Sequence, residues 1–148
     1  MLQAFLDWQR ATLLYKCAGL TGEQLARRAV PPSELSLLGL LRHMTKVERS
    51  WFRQRFAGEQ VDFPFGSDFQ AEFERTDPAR AAADYAWLTE EFRLADAAVA
   101  NASLDDTFTH DDETMSLRLI YLHMIEEYAR HLGHADLLRE QIDGATGE

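Results

Sequence analysis

The sequence predicts an all-α fold in which four long helices pack as a bundle. Apolar residues recur at helical spacing in four segments, and helix-starting Ser and Asp residues and helix-ending glycines separate these segments. No segment shows the sustained period-two alternation typical of strands. Four long helices with mostly short connections indicate a four-helix bundle. At 148 residues the chain is expected to form one domain, spanning 1–148.

Each helix is bounded by local signals. The predicted bounds are Leu2 to Leu20, Ser33 or Ser36 to Phe56, Asp77 to Ala100, and a start at Thr114 to Ser116 with an end at Ile142. Gly19 and the pair Thr21-Gly22 end the first helix, and Gly58 ends the second. Asp77 and Pro78 form a strong N-cap and first-turn pair for the third.

The connection between the second and third helices, from Glu59 to Thr76, is too long for a minimal turn. It is rich in aromatic residues, namely Phe63, Phe65, Phe69 and Phe73, which surround Pro64 and Gly66. Long connections are often lids or binding loops, but aromatic side chains usually serve packing. We therefore expect them to seal one end of the bundle or to contact a second subunit. The acidic segment from Asn101 to Asp112 is predicted to be a loop that exposes His110.

Composition excludes several classes of function. The net charge is −10, and the densest basic cluster, Arg49, Arg53 and Arg55, is interpreted as a solvated helix face, so no nucleic-acid partner is expected. No apolar run approaches the ~20 residues that cross a bilayer, so no membrane partner is expected. The single cysteine, Cys17, is predicted to be a buried structural thiol and fits a reducing compartment. Together these features predict a cytoplasmic protein.

The fourth helix carries a histidine-rich run from His123 to Asp136. Residues four apart share a helix face, so His123, Glu127 and His131 form a stripe, and His134 returns to nearly the same side. Neutral imidazole and carboxylate groups suit zinc, nickel or iron in the +2 state. The run is therefore a candidate metal face.

Spacing alone leaves the ligands on this face open. His123 with Glu127, Glu127 with His131, and His131 with His134 are each spaced to share one ion. Glu127 and His134 lie about 10 Å apart along the helix axis, which is too far for two ligands of one ion. A third ligand must come from another helix, where His43 is the candidate.

A structural interpretation fits the same residues. His43 lies among leucines on the second helix, and a lone histidine on an apolar face is more often a hydrogen-bonded core residue than a ligand. On the fourth helix, Glu127 with Arg130 and Asp136 with Arg139 are spaced as ordinary surface ion pairs. From spacing alone, a metal site and a set of structural pairs are about equally supported.

Two segments resemble the DinB superfamily, and in particular its actinobacterial-type branch related to mycothiol-dependent maleylpyruvate isomerase. They are residues 36–52, SLLGLLRHMTKVERSWF, and residues 123–144, HMIEEYARHLGHADLLREQIDG. The resemblance implies a four-helix bundle with a divalent metal between helices, and proteins that often form homodimers. Most members use three histidines, whereas the mycothiol-dependent branch uses His, Glu and His. Carried over, the metal ligands are His43, Glu127 and His131.

The resemblance also implies an activity. It predicts a divalent-metal-dependent enzyme, with zinc expected ahead of nickel or iron, that uses mycothiol or another low-molecular-weight thiol for S-transfer to, or isomerisation of, a small electrophile. His134 and His123 then become neighbours that orient ligands or handle protons. Two alternatives remain open, and with them whether the protein is an enzyme. One is a non-catalytic bundle that binds metal or a small ligand. The other is a metal-dependent hydrolase in which Glu126, His123 or His134 assists a water.

Overall fold

The computed structural model describes residues 1–63, 65–66 and 71–147, and it is mostly helical. The helices are α1 (Leu2–Cys17), α2 (Gly22–Ala26), α3 (Leu37–Glu48), α4 (Ala71–Glu74), α5 (Ala81–Val99) and α6 (Leu117–Asp143). A π-helical segment, Arg49–Phe56, continues α3, and a 3₁₀ turn, Pro78–Arg80, precedes α5. Two short strands, β1 (Thr107–His110) and β2 (Glu113–Ser116), lead into α6.

Most of the predicted helix ends agree with the structure to within a few residues. Of the two candidate caps for α3, Ser36 takes the role, and its hydroxyl accepts a hydrogen bond from the Gly39 amide. Asp77 caps the 3₁₀ turn, so the regular helix begins four residues later than predicted. Gly144 ends α6 in the left-handed conformation, with φ of 78°, which glycine adopts without a steric penalty.

Two short helices lie within predicted connections. The α2 helix has a capping box in which the Thr21 side chain and the Gln24 side chain each bond the other's backbone amide. The α4 helix lies in the aromatic-rich connection. Both are too short for the hydrophobic periodicity that identifies a longer helix.

The long helices pack so that α3 contacts both α5 and α6, while α1 lies along α6. The core between α3 and α6 is apolar and fully buried; its members include Leu37, Leu40, Leu41, Met44, Ile120 and Met124. Burial of this apolar surface holds the two helices in a defined register. That register places the histidine of α3 opposite the histidine-rich run of α6.

A β-hairpin stands where the sequence predicts an acidic loop, so the chain is mostly helical, as predicted, but also contains a small two-stranded sheet. Asp111 and Asp112 both have positive φ, 50° and 64°, as a two-residue hairpin turn requires. Phe108 of β1 is buried and packs edge-on against Phe56, at 6.0 Å between ring centroids. His110 is half-buried at the end of β1 and is not an exposed loop residue. Four-residue strands are too short to show alternation in the sequence.

The predicted solvated basic face is also wrong, because its arginines pack inward. Arg49 is buried and donates two hydrogen bonds, of 2.8 and 2.6 Å, to Glu91 of α5. Arg53 is shared between Glu91 and Glu59. Arg55 lies over the ring of Trp51. The π-helical segment is therefore fastened to α5 by buried ion pairs.

The aromatic residues of the long connection lie in different places. Phe65 packs edge-on against Trp87, at 5.4 Å between ring centroids, and Phe73 packs against His43. Phe63 lines a cavity next to the π-helical segment. Phe69 and Pro64 lie outside the described residues.

Two further expectations concern α1 and the helices as a group. Cys17 is a free thiol and is buried, as the sequence predicts. Burial raises its pKa to about 12, an effect that the charge of Arg139 opposes. In the described ranges, no helix combines the length and the apolar character needed to span a membrane.

Candidate metal centre

Three side chains from two helices converge at one point. His43 of α3 and Glu127 and His131 of α6 each offer one ligand atom, and these atoms all lie within 4.8 Å of one another. The Glu127 carboxylate is central, with Oε2 3.9 Å from His43 Nε2 and 3.4 Å from His131 Nε2. Only the packing of α3 on α6 brings His43 to the other two.

The cluster lies below the surface without being sealed from it. The exposed fractions of the side chains are 13% for His43, 20% for Glu127 and 12% for His131. Two nitrogen donors and one carboxylate form the donor set of a three-ligand catalytic site, which keeps a position open for water or substrate. All three side chains keep some solvent exposure, which such a site requires.

The environment of one buried atom, Nε2 of His43, indicates that this donor set fits a cation. His43 Nε2 is buried and has no hydrogen-bond partner among the described residues. A buried polar atom without a partner costs about 1–3 kcal/mol, so such atoms need an explanation. This nitrogen faces the Glu127 carboxylate and the ring of His131, whose centroid is 4.6 Å from that of His43. A metal ion between these groups would satisfy it.

The protonation state of His131 suits the same role. Burial lowers its pKa to about 4, and the neighbouring His43 contributes to the decrease, while the charge of Glu127 opposes it. The imidazole is therefore neutral near pH 7. Neutral imidazole is the form that binds a metal ion.

The other ring nitrogen of His43 has a partner that the sequence analysis did not identify. Nδ1 lies 3.2 Å from Oε1 of Glu72, a fully buried residue of α4 whose other oxygen accepts a 3.3 Å hydrogen bond from Lys46. Burial alone would raise the pKa of Glu72, but the hydrogen bond with His43 and the charge of Lys46 outweigh it, and the pKa is lowered. A carboxylate that bonds the far nitrogen of a histidine typically orients that histidine as a ligand.

Glu72 reaches His43 because the connection is held against α3. Arg42 donates to the backbone carbonyls of Arg75, at 2.5 Å, and Ala71, at 3.5 Å, on either side of Glu72. Glu72 lies 29 residues after His43 in a segment without helical periodicity. No spacing rule connects the two residues, so the sequence carries no signal for this pair.

The remaining histidines of the run flank the cluster. Nδ1 of His134 is 3.3 Å from Nδ1 of His131. His123 lies on the other side, with Nε2 3.8 Å from Glu127 Oε1 and its ring packed on Trp51 at 4.5 Å between centroids. The structure thus brings both sequence-predicted neighbours to the candidate ligands.

The surface ion pairs of the structural interpretation are not those that form in the described residues. Arg130 pairs with Glu126, at 4.0 Å, and Glu127 faces the histidines. Asp136 pairs with Lys16 of α1, at 2.7 Å. The carboxylate of Glu127 is therefore directed to the cluster and away from the surface arginine.

A buried polar network fixes the position of α6 next to Glu127. Glu48 of α3 receives two hydrogen bonds from Arg10, both of 2.7 Å, and one from the Tyr128 hydroxyl, of 2.9 Å. Burial would lower the pKa of Arg10, but its hydrogen bonds to Glu48 raise it. Burial raises the pKa of Glu48, and the hydrogen bonds from Arg10 and Tyr128 oppose that increase. Tyr128 follows Glu127 directly, and the network therefore joins α1, α3 and α6 next to the point where the Glu127 carboxylate leaves the helix.

Comparison with known proteins adds the family. A model of the mycothiol S-transferase family matches residues 1–144. The chain belongs to this family. No curated protein and no solved structure matches the sequence significantly.

The match to the mycothiol S-transferase family confirms the resemblance to the mycothiol-related branch of the DinB superfamily. It covers all of α1 to α6 and therefore every residue of the candidate metal centre. The family name concerns transfer to or from a thiol, and the cluster supplies partly buried histidine and carboxylate groups. The residues of the candidate metal centre thus lie within the part of the chain that matches the family.

Proposed function

We propose that this protein is a divalent-metal-dependent S-transferase that joins the thiol of mycothiol to a small electrophile. The observation that carries the proposal is the buried, unpartnered Nε2 of His43, which faces Glu127 and His131 in a chain of the mycothiol S-transferase family.

His43 Nε2, Glu127 and His131 would hold the ion, with zinc expected ahead of nickel or iron. A divalent cation at this place favours the thiolate form of a thiol, which is the nucleophilic form. Glu72 accepts the Nδ1 proton of His43, which leaves the Nε2 lone pair directed at the cluster. Three protein ligands leave room for the thiol.

The transfer forms a carbon–sulfur bond, and the thiol proton must leave. We assign the proton acceptor to His134 or His123, which flank the ligand cluster on opposite sides. The electrophile either gives up a leaving group, which departs with the proton, or takes the proton itself at a conjugated carbon. Isomerisation through reversible thiol addition uses the same groups.

Metal analysis combined with a thiol-transfer assay tests the proposal. Protein purified without a metal-binding tag should contain about one divalent ion per chain, and His43→Ala and His131→Ala should lose it. His110→Ala is the matched control, because His110 lies at the end of β1 outside the cluster. Metal content that neither substitution changes would overturn the ligand assignment.

The second part of the test is conjugation of mycothiol to a generic electrophile, followed by mass spectrometry of the adduct. Metal-dependent conjugation that is absent in His43→Ala supports the transferase. Stoichiometric metal without any thiol-dependent turnover would instead favour a non-catalytic binder. Hydrolysis of the electrophile at the same rate without thiol would favour a hydrolase.

The assembly and location of the protein belong to the same proposal. We assign the four long helices to a DinB-type four-helix bundle in a single domain and place the protein in the cytoplasm, which suits its unpaired Cys17.

We also propose a homodimer through α1, whose outer face exposes Met1, Phe5, Trp8 and Tyr15 at helical spacing. Trp8→Glu should then convert a dimer to a monomer in sedimentation, and an unchanged dimer would exclude this face.

A further inference from the structure

A cavity of about 200 Å³ lies along the face of α3 that continues beyond His43 into the π-helical segment. Arg55 contributes a cationic side chain to its wall, and Trp51 and Phe63 contribute two aromatic rings. Lys46 also lines the wall, but its ammonium group is bonded to Glu72. No acidic side chain is among its described lining residues. In a chain with a net charge of −10, this lining is a local exception that favours an anionic ligand.

Two chains of contacts connect the cavity with the candidate metal centre. Lys46 bonds Glu72, which bonds His43. On the other side, the Trp51 ring packs on His123, which faces Glu127. One lining side chain, Trp51, therefore contacts a proposed proton acceptor, and another, Lys46, contacts the carboxylate that bonds His43.

Arg55 is the cation best placed to bind such a molecule. Its guanidinium carbon lies 4.0 Å from the centroid of the Trp51 ring. Within the described ranges, no carboxylate pairs with it, and only Asp111 acts on it at longer range. Burial lowers the pKa of Arg55, which reflects a partly desolvated cation without a close anion. A guanidinium stacked on an aromatic face directs its N–H groups outward from the ring edge, in the geometry that binds a carboxylate bidentately.

The backbone beneath the cavity is unusual. Ser50, Trp51, Gln54 and Arg55 all line the cavity, and all lie in the π-helical segment. Helices of this kind are rare and occur frequently at functional sites. This one is held from behind by Arg49, which bonds Glu91 and the backbone carbonyl of Asp62. The rare helix therefore forms one rigid wall of the cavity.

We propose that this cavity binds the electrophilic substrate as a small aryl or conjugated carboxylate. The carboxylate pairs with Arg55, which Trp51 supports from below, and the planar group packs against Phe63. The assignment of this ligand as the electrophile rests on the proposed S-transfer, whereas its binding does not. Arg55 is thus a specificity-determining residue that recognises a charge distant from the reacting carbon.

Calorimetric titration with benzoate and its neutral isostere benzamide tests the binding. Benzoate should bind about tenfold or more tightly than benzamide, as expected for a charge-assisted pair in a partly buried site. Arg55→Gln should abolish this preference, and Arg93→Gln, which removes an exposed arginine of α5, should retain it. If Arg55→Gln does not fold, Arg55→Lys decides, because a point charge cannot form the bidentate bond and benzoate affinity should fall several-fold.

The titration is repeated after chelation to separate Arg55 from a bound metal ion as the source of carboxylate affinity. A preference that persists without metal and depends on Arg55 supports the proposal. A preference that disappears on chelation, that is unchanged in Arg55→Gln, or that is absent from the wild type overturns it.

An electrophilic version of the pair, a chloronitrobenzoate and its amide, distinguishes this proposal from the proposed function. Thiol attack forms a carbon–sulfur bond, breaks the carbon–chlorine bond and releases chloride and a proton. Equal kcat/KM for both compounds would support the proposed S-transferase and refute the carboxylate site. Arg55-dependent benzoate binding without any conjugation would support the carboxylate site and refute the S-transferase.

Discussion

Glu72 is a fully buried carboxylate that contacts a candidate ligand without belonging to the ligand set. We predict that Glu72→Gln weakens metal binding while all three ligands remain. The substitution removes the negative charge that His43 Nδ1 and Lys46 both face, at 3.2 and 3.3 Å. The neutral amide still accepts one hydrogen bond, so the histidine keeps part of its orientation.

The expected magnitude follows from these contacts. Losing the outer partner of a ligating histidine typically lowers metal affinity 10–100-fold. Because glutamine retains an acceptor, we expect the lower end, about tenfold or ~1.4 kcal/mol. Glu72→Ala, which removes the acceptor as well, should approach the upper end.

Competition with a chromogenic zinc chelator measures the effect directly. Glu74→Gln is the matched control, since Glu74 lies two residues later on α4 and is exposed. Thermal unfolding of both variants without metal checks that the fold persists. If Glu72→Gln bound zinc as tightly as the wild type and the Glu74 control, the orienting role of Glu72 would be refuted.

Three further predictions concern stability and reactivity. Tyr128→Phe removes the hydroxyl that donates to the buried Glu48, and it should lower the free energy of unfolding, measured by urea titration, by about 2 kcal/mol. Tyr15→Phe, at the surface, should leave the free energy of unfolding unchanged. Equal urea midpoints for the two variants would argue against the buried network. Because the pKa of Cys17 is about 12, the fraction of this residue in the thiolate form at pH 8 should be on the order of one in ten thousand. Iodoacetamide should therefore label Cys17 only after the protein unfolds. Rapid labelling of the native protein would contradict its burial. Gly22→Ala should destabilise the protein, because a Cβ there would clash with the backbone carbonyl oxygen of Pro78. Gly133→Ala, on the open surface of α6, should stabilise it by up to about 1 kcal/mol. Melting temperatures that shift in the same direction would contradict this reasoning.

The features that sequence predicts well here are local. Ser36, Asp77 and Gly144 mark helix ends because their effect involves only the backbone within a few residues. The candidate metal face of α6 is predictable for the same reason, since residues four apart on a helix are neighbours in any fold. Spacing alone does not choose among its pairs, and the choice of Glu127 with His131 came from the family resemblance. The hairpin and the short α2 and α4 helices escape prediction because their patterns extend over too few residues.

The tertiary structure decided what the local pattern left open. His43 faces Glu127 and His131 only because apolar burial sets α3 against α6 in one register, and the family resemblance anticipated that arrangement without a geometric reason. Glu72 reaches His43 only because Arg42 holds a distant segment against α3. The π-helical segment, and with it the position of Arg55 on Trp51, depends on the buried pairing of Arg49 with α5. The sequence by itself therefore determined the helices and the histidine- and carboxylate-bearing face of α6, because these follow from bonds and spacings within a few residues. The completed donor set and the cation-lined cavity depended on contacts between residues far apart in the chain, which only packing of the whole chain establishes.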